Sequence, residues 1–220
     1  MQHTVVQALK TTVSDWWLWK YLGSSSESLN TMPRNVEIKA RVWDPVQLEA
    51  LVYELTESLG TVMAQEDIFF KVPSGRLKLR IHDGNPDGEL ISYSRPNSSG
   101  PKSCSYSKTP IPDAQSLKET LSLVLDTLGT VRKQRRFYLH GQTRIHVDEV
   151  EGLGSFMELE VMLEDDQSYE DGKRIADELM KKMHIRDTDL VPVAYIDMLL
   201  DSSYQEKYGH SSTEHDPHIG

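Results

Sequence analysis

The sequence predicts an α+β fold in which about eight short strands close into a barrel or pack as a sandwich, with helices set between them. Three observations carry this expectation. Apolar and charged residues alternate with period two in several separate stretches. Turn-forming clusters such as Pro73-Ser74-Gly75 and Asp83-Gly84-Asn85 fall between those stretches. Other segments space their apolar residues at helical intervals instead.

The strands come first. Val36, Ile38, Ala40 and Val42 are apolar, while Asn35, Glu37, Lys39 and Arg41 hold the opposite parity. Strict period two gives a strand one apolar face and one charged face. From Arg76 to His82, Leu77, Leu79 and Ile81 oppose Lys78 and Arg80. Over 144–148, Arg144, His146 and Asp148 oppose Ile145 and Val147. Glu158 and Glu160 oppose Met157, Leu159 and Val161. Further strands are expected over 66–72, 89–95, 103–109 and 131–140.

Helices interrupt them. Asp44-Pro45 is a cap and first-turn pair, followed by a stripe of Val46, Leu48, Leu51, Val52 and Leu55 that ends near Gly60. Asp113 opens a second helix, with Leu117, Leu121, Val124 and Leu128 at helical spacing and Gly129 at its end. A third covers 167–184 through Ile175, Leu179 and Met183, and a fourth covers 192–200. These stripes are core-facing.

Composition bounds the rest. A chain of 220 residues accommodates one domain, expected over 32–201, plus tails. Hydrophobic residues at 38% and charged residues at 26% predict a soluble globular protein. No run approaches the ~20 apolar residues that cross a bilayer, so no membrane partner is expected. The formal charge of -10 argues against a general nucleic-acid surface but permits a locally positive pocket. A single cysteine, Cys104, excludes an internal disulfide or a multi-cysteine zinc site and fits a reducing, cytoplasmic setting. Without an identifiable partner it reads as a strand residue, not a nucleophile.

Residues 1–31 carry Trp16, Trp17 and Trp19 and a Ser-rich stretch, with no secretory pattern. Lys10 and Lys20 outnumber acids in the first twenty positions, as in an organellar presequence, but arginine is absent there. A weakly ordered extension is expected, with no protein partner assigned to it. The tail 202–220 bears His210, His215 and His218 without a fixed metal-binding geometry and is expected to be disordered.

The chemistry lies in the charged parity. Lys39, Lys78, Arg80, Arg95, Lys133, Arg135 and Arg144 supply cations, and Glu37, Asp148, Glu158 and Glu160 supply hard oxygen ligands. If the apolar faces pack against the helices, both signs point into a lumen, where unpaired burial would be ruinous. A polyanion bound with a divalent cation satisfies both at once: carboxylates grip Mg²⁺ or Mn²⁺ while Lys and Arg neutralise phosphate oxygens.

The ordered set of motifs resembles the CYTH proteins, named for class IV adenylyl cyclases and thiamine triphosphatases. Asn35-Val36-Glu37-Ile38-Lys39 is similar to their opening E-x-E-x-K strand. The likeness continues through the segments 75–80, 90–96, 133–135, 144–148 and 153–160, and spans about residues 33–200. It implies an α+β fold with an eight-stranded antiparallel β-barrel, a triphosphate tunnel, flanked by helices. It also implies divalent-metal-dependent attack on a small-molecule triphosphate. By that resemblance Glu37, Asp148, Glu158 and Glu160 face the metal. Lys39, Lys78, Arg80, Arg95, Lys133, Arg135 and, less centrally, Arg144 hold the phosphates, and Glu37, Lys39, Arg80 and Arg135 are the catalytic set. His146 shares the lumen parity in a hydrogen-bonding or packing role. One departure is Asn35, which stands where the family motif has its first Glu, and a neutral amide is a weaker cation ligand. The implied function is a hydrolase of tripolyphosphate, thiamine triphosphate or a nucleoside triphosphate. The alternatives are a class IV-type adenylyl cyclase and a non-catalytic polyphosphate binder.

Overall fold

The computed structural model describes residues 34–94 and 102–201. The segments 1–31 and 202–220, and Arg95, lie outside the described residues. Among those described, the chain runs β1 (Asn35–Arg41), α1 (Pro45–Thr56), β2 (Thr61–Phe70), β3 (Arg76–His82), β4 (Gly88–Ser94), β5 (Lys102–Ile111) and α2 (Ala114–Ser122). It continues with β6 (Thr127–His140), β7 (Thr143–Val150), β8 (Gly154–Met162), α3 (Tyr169–Lys182), a 3₁₀ turn (Asp187–Asp189) and α4 (Tyr195–Leu200).

The strands close into a barrel in the order β1-β5-β4-β3-β2-β6-β7-β8, with every neighbouring pair antiparallel. That decides between barrel and sandwich. Two meanders, β2 to β5 and β6 to β8, are joined through β1. This strand aligns with β8 along its whole length, Asn35 to Arg41, but with β5 only from Asn35 to Glu37.

Burial explains which face looks inward. Val36, Ile38 and Ala40 of β1, Ile145 and Val147 of β7, and Met157, Leu159 and Val161 of β8 pack beneath Leu48 and Val52 of α1 and Ala176, Leu179 and Met180 of α3. Ile68 and Leu79 pack with Leu117 and Leu121 of α2. Full burial of each valine, leucine, isoleucine or methionine side chain among them contributes roughly 1.5–3 kcal/mol. A one-residue slip in register would send these residues inward and bring the charges under the helices, so the pattern pins every strand. The charged parity is left with the lumen.

α4 packs differently. Its Tyr195, Ile196 and Met198 cluster with Phe69, Val131 and Phe156, which share the lumen parity of Asp67, Lys133 and Glu158. The helix therefore docks on the interior side of the barrel wall. Gly129 permits this, because a Cβ there would stand 2.7 Å from Ile196 Cδ1.

The expected caps are present. Asp44 Oδ1 accepts from the Gln47 N–H and Asp113 Oδ1 from the Ser116 N–H, both at 2.9 Å, and Ser168 with Asp171 makes a capping box on α3. The second helix is shorter than its spacing predicts. α2 stops at Ser122, Val124 is exposed, and Leu128 and Gly129 belong to β6. The reason is tertiary: residues from Thr127 onward pair with β2, and this ladder outweighs a local helical pattern. β2 likewise begins earlier than expected, at Thr61, because β6 offers it partners up to Phe137. Cys104 falls on β5, as a strand residue. No described helix is long and apolar enough to cross a membrane.

Candidate active site

Glu37, Lys39, Lys78, Arg80, Lys133, Arg135, Arg144, Glu158 and Glu160 line one cavity in the barrel. They come from five strands, and period-two alternation alone turns each inward. Three linked groups of charges make up the wall.

The first centres on Asp67 of β2, which is 2% exposed. Its Oδ1 accepts from Arg80 Nε at 2.7 Å, and its Oδ2 accepts from Lys78 Nζ at 2.9 Å, Arg80 Nη2 at 2.8 Å and Lys133 Nζ at 3.1 Å. Burial alone would raise the Asp67 pKa, but Arg80, Lys133 and Lys78 hold it well below the usual carboxylate range. Lys78 goes the other way. Burial and the Arg80 charge outweigh its pull from Asp67 and bring it down to about 7.

The second group joins β1, β6, β7 and β8. Arg135 donates through Nε to Asp148 Oδ1 and through Nη2 to Glu158 Oε2, each at 2.6 Å. Lys39 Nζ pairs with Glu158 Oε1 at 3.1 Å and lies 3.6 Å from the centre of the Tyr195 ring. The Tyr195 hydroxyl donates to Asp148 Oδ2 at 3.0 Å. Asp148 is fully buried behind Arg135 and is not part of the cavity wall. Burial opposes ionisation of Glu158, yet Lys39 and Arg135 hold its pKa well below normal.

The third group contains Glu37 and Glu160, which face each other directly across the β1–β8 ladder. Arg144 Nη1 reaches Glu160 Oε2 at 3.4 Å. Burial would raise the Glu160 pKa, but His146 (once protonated), Arg144 and Lys108 lower it to about 2. His146 itself packs on Phe137, with ring centroids 5.6 Å apart. Its Nδ1 is 3.8 Å from Glu158 and 3.7 Å from Glu160, too long for direct hydrogen bonds. Burial and the Arg135 charge lower its pKa, which leaves the ring neutral at pH 7.

Asn35 completes this group. It is 1% exposed, its Nδ2 donates to Glu37 Oε1 at 3.1 Å, and its Oδ1 is buried without a hydrogen-bond partner. Two carboxylates in direct cross-strand register repel, and an orphaned carbonyl oxygen beside them has a desolvation cost. A hard divalent cation relieves both, so Asn35, Glu37 and Glu160 fit one chemically. Among the described residues no three His, Cys, Asp or Glu side chains are gathered into a ready cage. The carboxylates Asp67, Asp148 and Glu158 are turned to the lysines and arginines instead.

Sequence reasoning missed Asp67, Lys108 and Tyr195 as wall residues. On β2 both parities carry an acid: Glu66 faces outward to Lys118 and Arg132 while Asp67 faces inward. That removes the alternation signal. Tyr195 follows the last strand, where no periodicity points to a lumen.

With this geometry in place, comparison with known proteins is decisive. Residues 33–195 match the CYTH domain. The chain belongs to the CYTH domain family. The Methanocaldococcus jannaschii protein named "Putative adenylate cyclase MJ0240" is 25% identical over 177 residues, covering 74% of this chain and 97% of that protein. Two solved structures share the fold. One is the PH1012 protein from Pyrococcus horikoshii OT3, with TM-score 0.66, 20% identity, and 74% of this chain matched to 98% of that one. The other is a Vibrio parahaemolyticus protein titled as a "putative adenylate cyclase", with TM-score 0.66, 20% identity, and 78% matched to 100%. CYTH members are enzymes that take triphosphates and generally use divalent metals.

Proposed function

We propose that this CYTH protein is a divalent-metal-dependent hydrolase of a small triphosphate: tripolyphosphate, thiamine triphosphate or a nucleoside triphosphate. The observation that carries the reading is the single cavity into which Lys39, Lys78, Arg80, Lys133 and Arg135 converge beside the opposed pair Glu37 and Glu160. The lysines and arginines converging in a buried space offer donors to the oxygens of a triphosphate, and the carboxylate pair matches a cation carried with it.

The residues divide the work. Arg80 and Arg135 offer planar forks to non-bridging phosphate oxygens, and Lys39, Lys78 and Lys133 act as point charges around them. Arg144, whose side chain is 36% exposed, meets the more solvated end of the ligand. Mg²⁺ or Mn²⁺, when bound by Asn35, Glu37, Glu160 and Glu158, supplies Lewis-acid polarisation of the phosphoryl group and lowers the pKa of an attacking water. Glu158 would join this set where bound phosphate takes over its contacts with Lys39 and Arg135. Fixed cations then stabilise the charge that develops on the phosphoryl oxygens. Asp148 and Tyr195 hold the Arg135 fork in place.

The test is incubation with ATP, tripolyphosphate and thiamine triphosphate, each with Mg²⁺ or Mn²⁺. Release of phosphate supports hydrolysis. Cyclic AMP from ATP would move the assignment to a cyclase, the activity in the names of two relatives. No product from any triphosphate, with binding retained, would favour a binder, for which Asn35 in place of the family Glu is the supporting observation.

Lys78 gives the tunnel a pH dependence. It is charged below about pH 7 in the empty protein and neutral above it, so phosphate attraction weakens as pH rises. In Lys78→Arg the charge persists. The ratio of parental to variant Kd for tripolyphosphate is therefore expected to rise between pH 6 and pH 8.5, and the ligand's own ionisation cancels in that ratio. A ratio constant across this range would remove Lys78 from the binding set.

A further inference from the structure

Asp67 has no part in the hydrolytic reading, yet it accepts four hydrogen bonds from three cations. Both of its oxygens are taken by Arg80, and Oδ2 also accepts from Lys78 and Lys133. Its side chain is 3% exposed and that of Lys133 is 2% exposed, so water does little to screen this cluster. A carboxylate and a phosphoryl group present the same thing to such donors, anionic oxygens at about 2.7–2.9 Å. The N–H edge of Arg80 and the ammonium protons of Lys78 and Lys133 that face Asp67 are the groups a phosphate needs.

We infer that Asp67 is the internal counter-ion of the empty tunnel. Its carboxylate occupies the position among Lys78, Arg80 and Lys133 that a phosphoryl group takes over, and it sets triphosphate affinity by competing for them. The inference rests on the triphosphate reading of the cavity. It gives three buried cations a partner before a triphosphate arrives, where unpaired burial is costly. It also gives the protein a means of release. As product leaves, Asp67 closes back on the cations, so tight binding of phosphate is avoided without loss of the charges that hold the substrate.

A purely supporting Asp67 makes the opposite prediction. If it only positions the cations, its removal scatters them and binding weakens. If it competes, removal strengthens binding. Tripolyphosphate affinity is measured by calorimetry in metal-free buffer at pH 7 for the parent, Asp67→Asn and Asp67→Glu. The expected result is a Kd at least about tenfold lower in Asp67→Asn, since one opposing charge in a poorly screened site is removed. Asp67→Glu keeps the charge and is expected to stay within about threefold of the parent. The empty Asp67→Asn protein should melt lower than the parent and gain more from tripolyphosphate. If Asp67→Asn folds only when tripolyphosphate is present, the inference is also supported, because phosphate then replaces the lost carboxylate. Equal or weaker binding by Asp67→Asn, or failure to fold even with tripolyphosphate while Asp67→Glu folds, overturns it. Absence of binding in the parent and both variants would instead sink the triphosphate reading, and the competition with it.

Discussion

Replacement of Arg135 by Met is expected to lower the unfolding free energy by about 3–5 kcal/mol, the usual cost of leaving a buried charge without its partner. Arg135 is the only described side chain bonded to both Asp148 and Glu158. Its loss leaves Asp148, fully buried, with a single neutral donor, the Tyr195 hydroxyl. Methionine has a similar length, so the loss reads the electrostatics more than a cavity. Urea denaturation at pH 7 measures it. Asp148→Asn added to Arg135→Met should recover part of the loss, because the stranded charge is gone and the two sites are in contact. The pH dependence has a definite sign. In the parent, Asp148 and Glu158 have lowered pKa values and so contribute stability at neutral pH that is lost on strong acidification. Without Arg135 their pKa values rise, the folded state binds protons more readily, and the deficit relative to the parent should shrink as pH falls below about 5. A loss below about 1 kcal/mol at pH 7 would mean that Lys39 and Lys133 replace the arginine.

The second large effect concerns the carboxylates of β8. Outer-shell changes at metal sites typically cost about 10–100-fold, so Glu160→Gln, opposite Glu37 on the proposed cation, is expected to reduce turnover by about 100-fold or more. Its Mg²⁺ requirement should rise with it. Glu158→Gln is expected to differ. Glu158 pairs with Lys39 and Arg135, so its neutralisation frees phosphate-binding cations while it removes a potential metal oxygen. KM for the triphosphate should fall along with kcat. Asn35→Glu adds a third acid beside the Glu37–Glu160 pair and should lower the Mg²⁺ concentration needed for half-maximal turnover. Steady-state kinetics with Mg²⁺ and Mn²⁺ titrated separately resolve these effects. If both Gln variants keep parental turnover and metal dependence, the carboxylates are structural. A parent inactive on every triphosphate, with activity gained in Asn35→Glu, would identify the natural protein as a binder.

Much of this architecture was legible in the chain. The alternation from Arg76 to His82 sets the whole of β3, and Lys78 and Arg80 of its charged parity lie in the cavity. The caps at Asp44 and Asp113 start α1 and α2 because local hydrogen bonds define them. The resemblance to CYTH proteins named nine residues that now share one cavity wall. Elsewhere the local signal was weaker than its tertiary competitor. Leu128 and Gly129 fit a helix in sequence, yet they lie in a strand, where Gly129 pairs with Phe69 of β2 and Leu128 sits at a register shift before Thr127 pairs with Phe70.

The sequence by itself determined which residues share a face, because side-chain direction along a strand has a fixed period of two. It also determined the kinds of charge that such a face would carry. Tertiary structure alone decided which charges neutralise one another. Asp67 is 11 positions from Lys78 and 66 from Lys133 in the chain, and no pattern within a strand encodes that meeting. It also decided that Asp148 stands behind Arg135 instead of in the cavity wall, and that Tyr195 of α4 reaches the lumen to hold it. These pairings follow from barrel closure, which brings distant strands within hydrogen-bond range. In a space with little water, each buried charge must then settle on whichever opposite charge that geometry supplies.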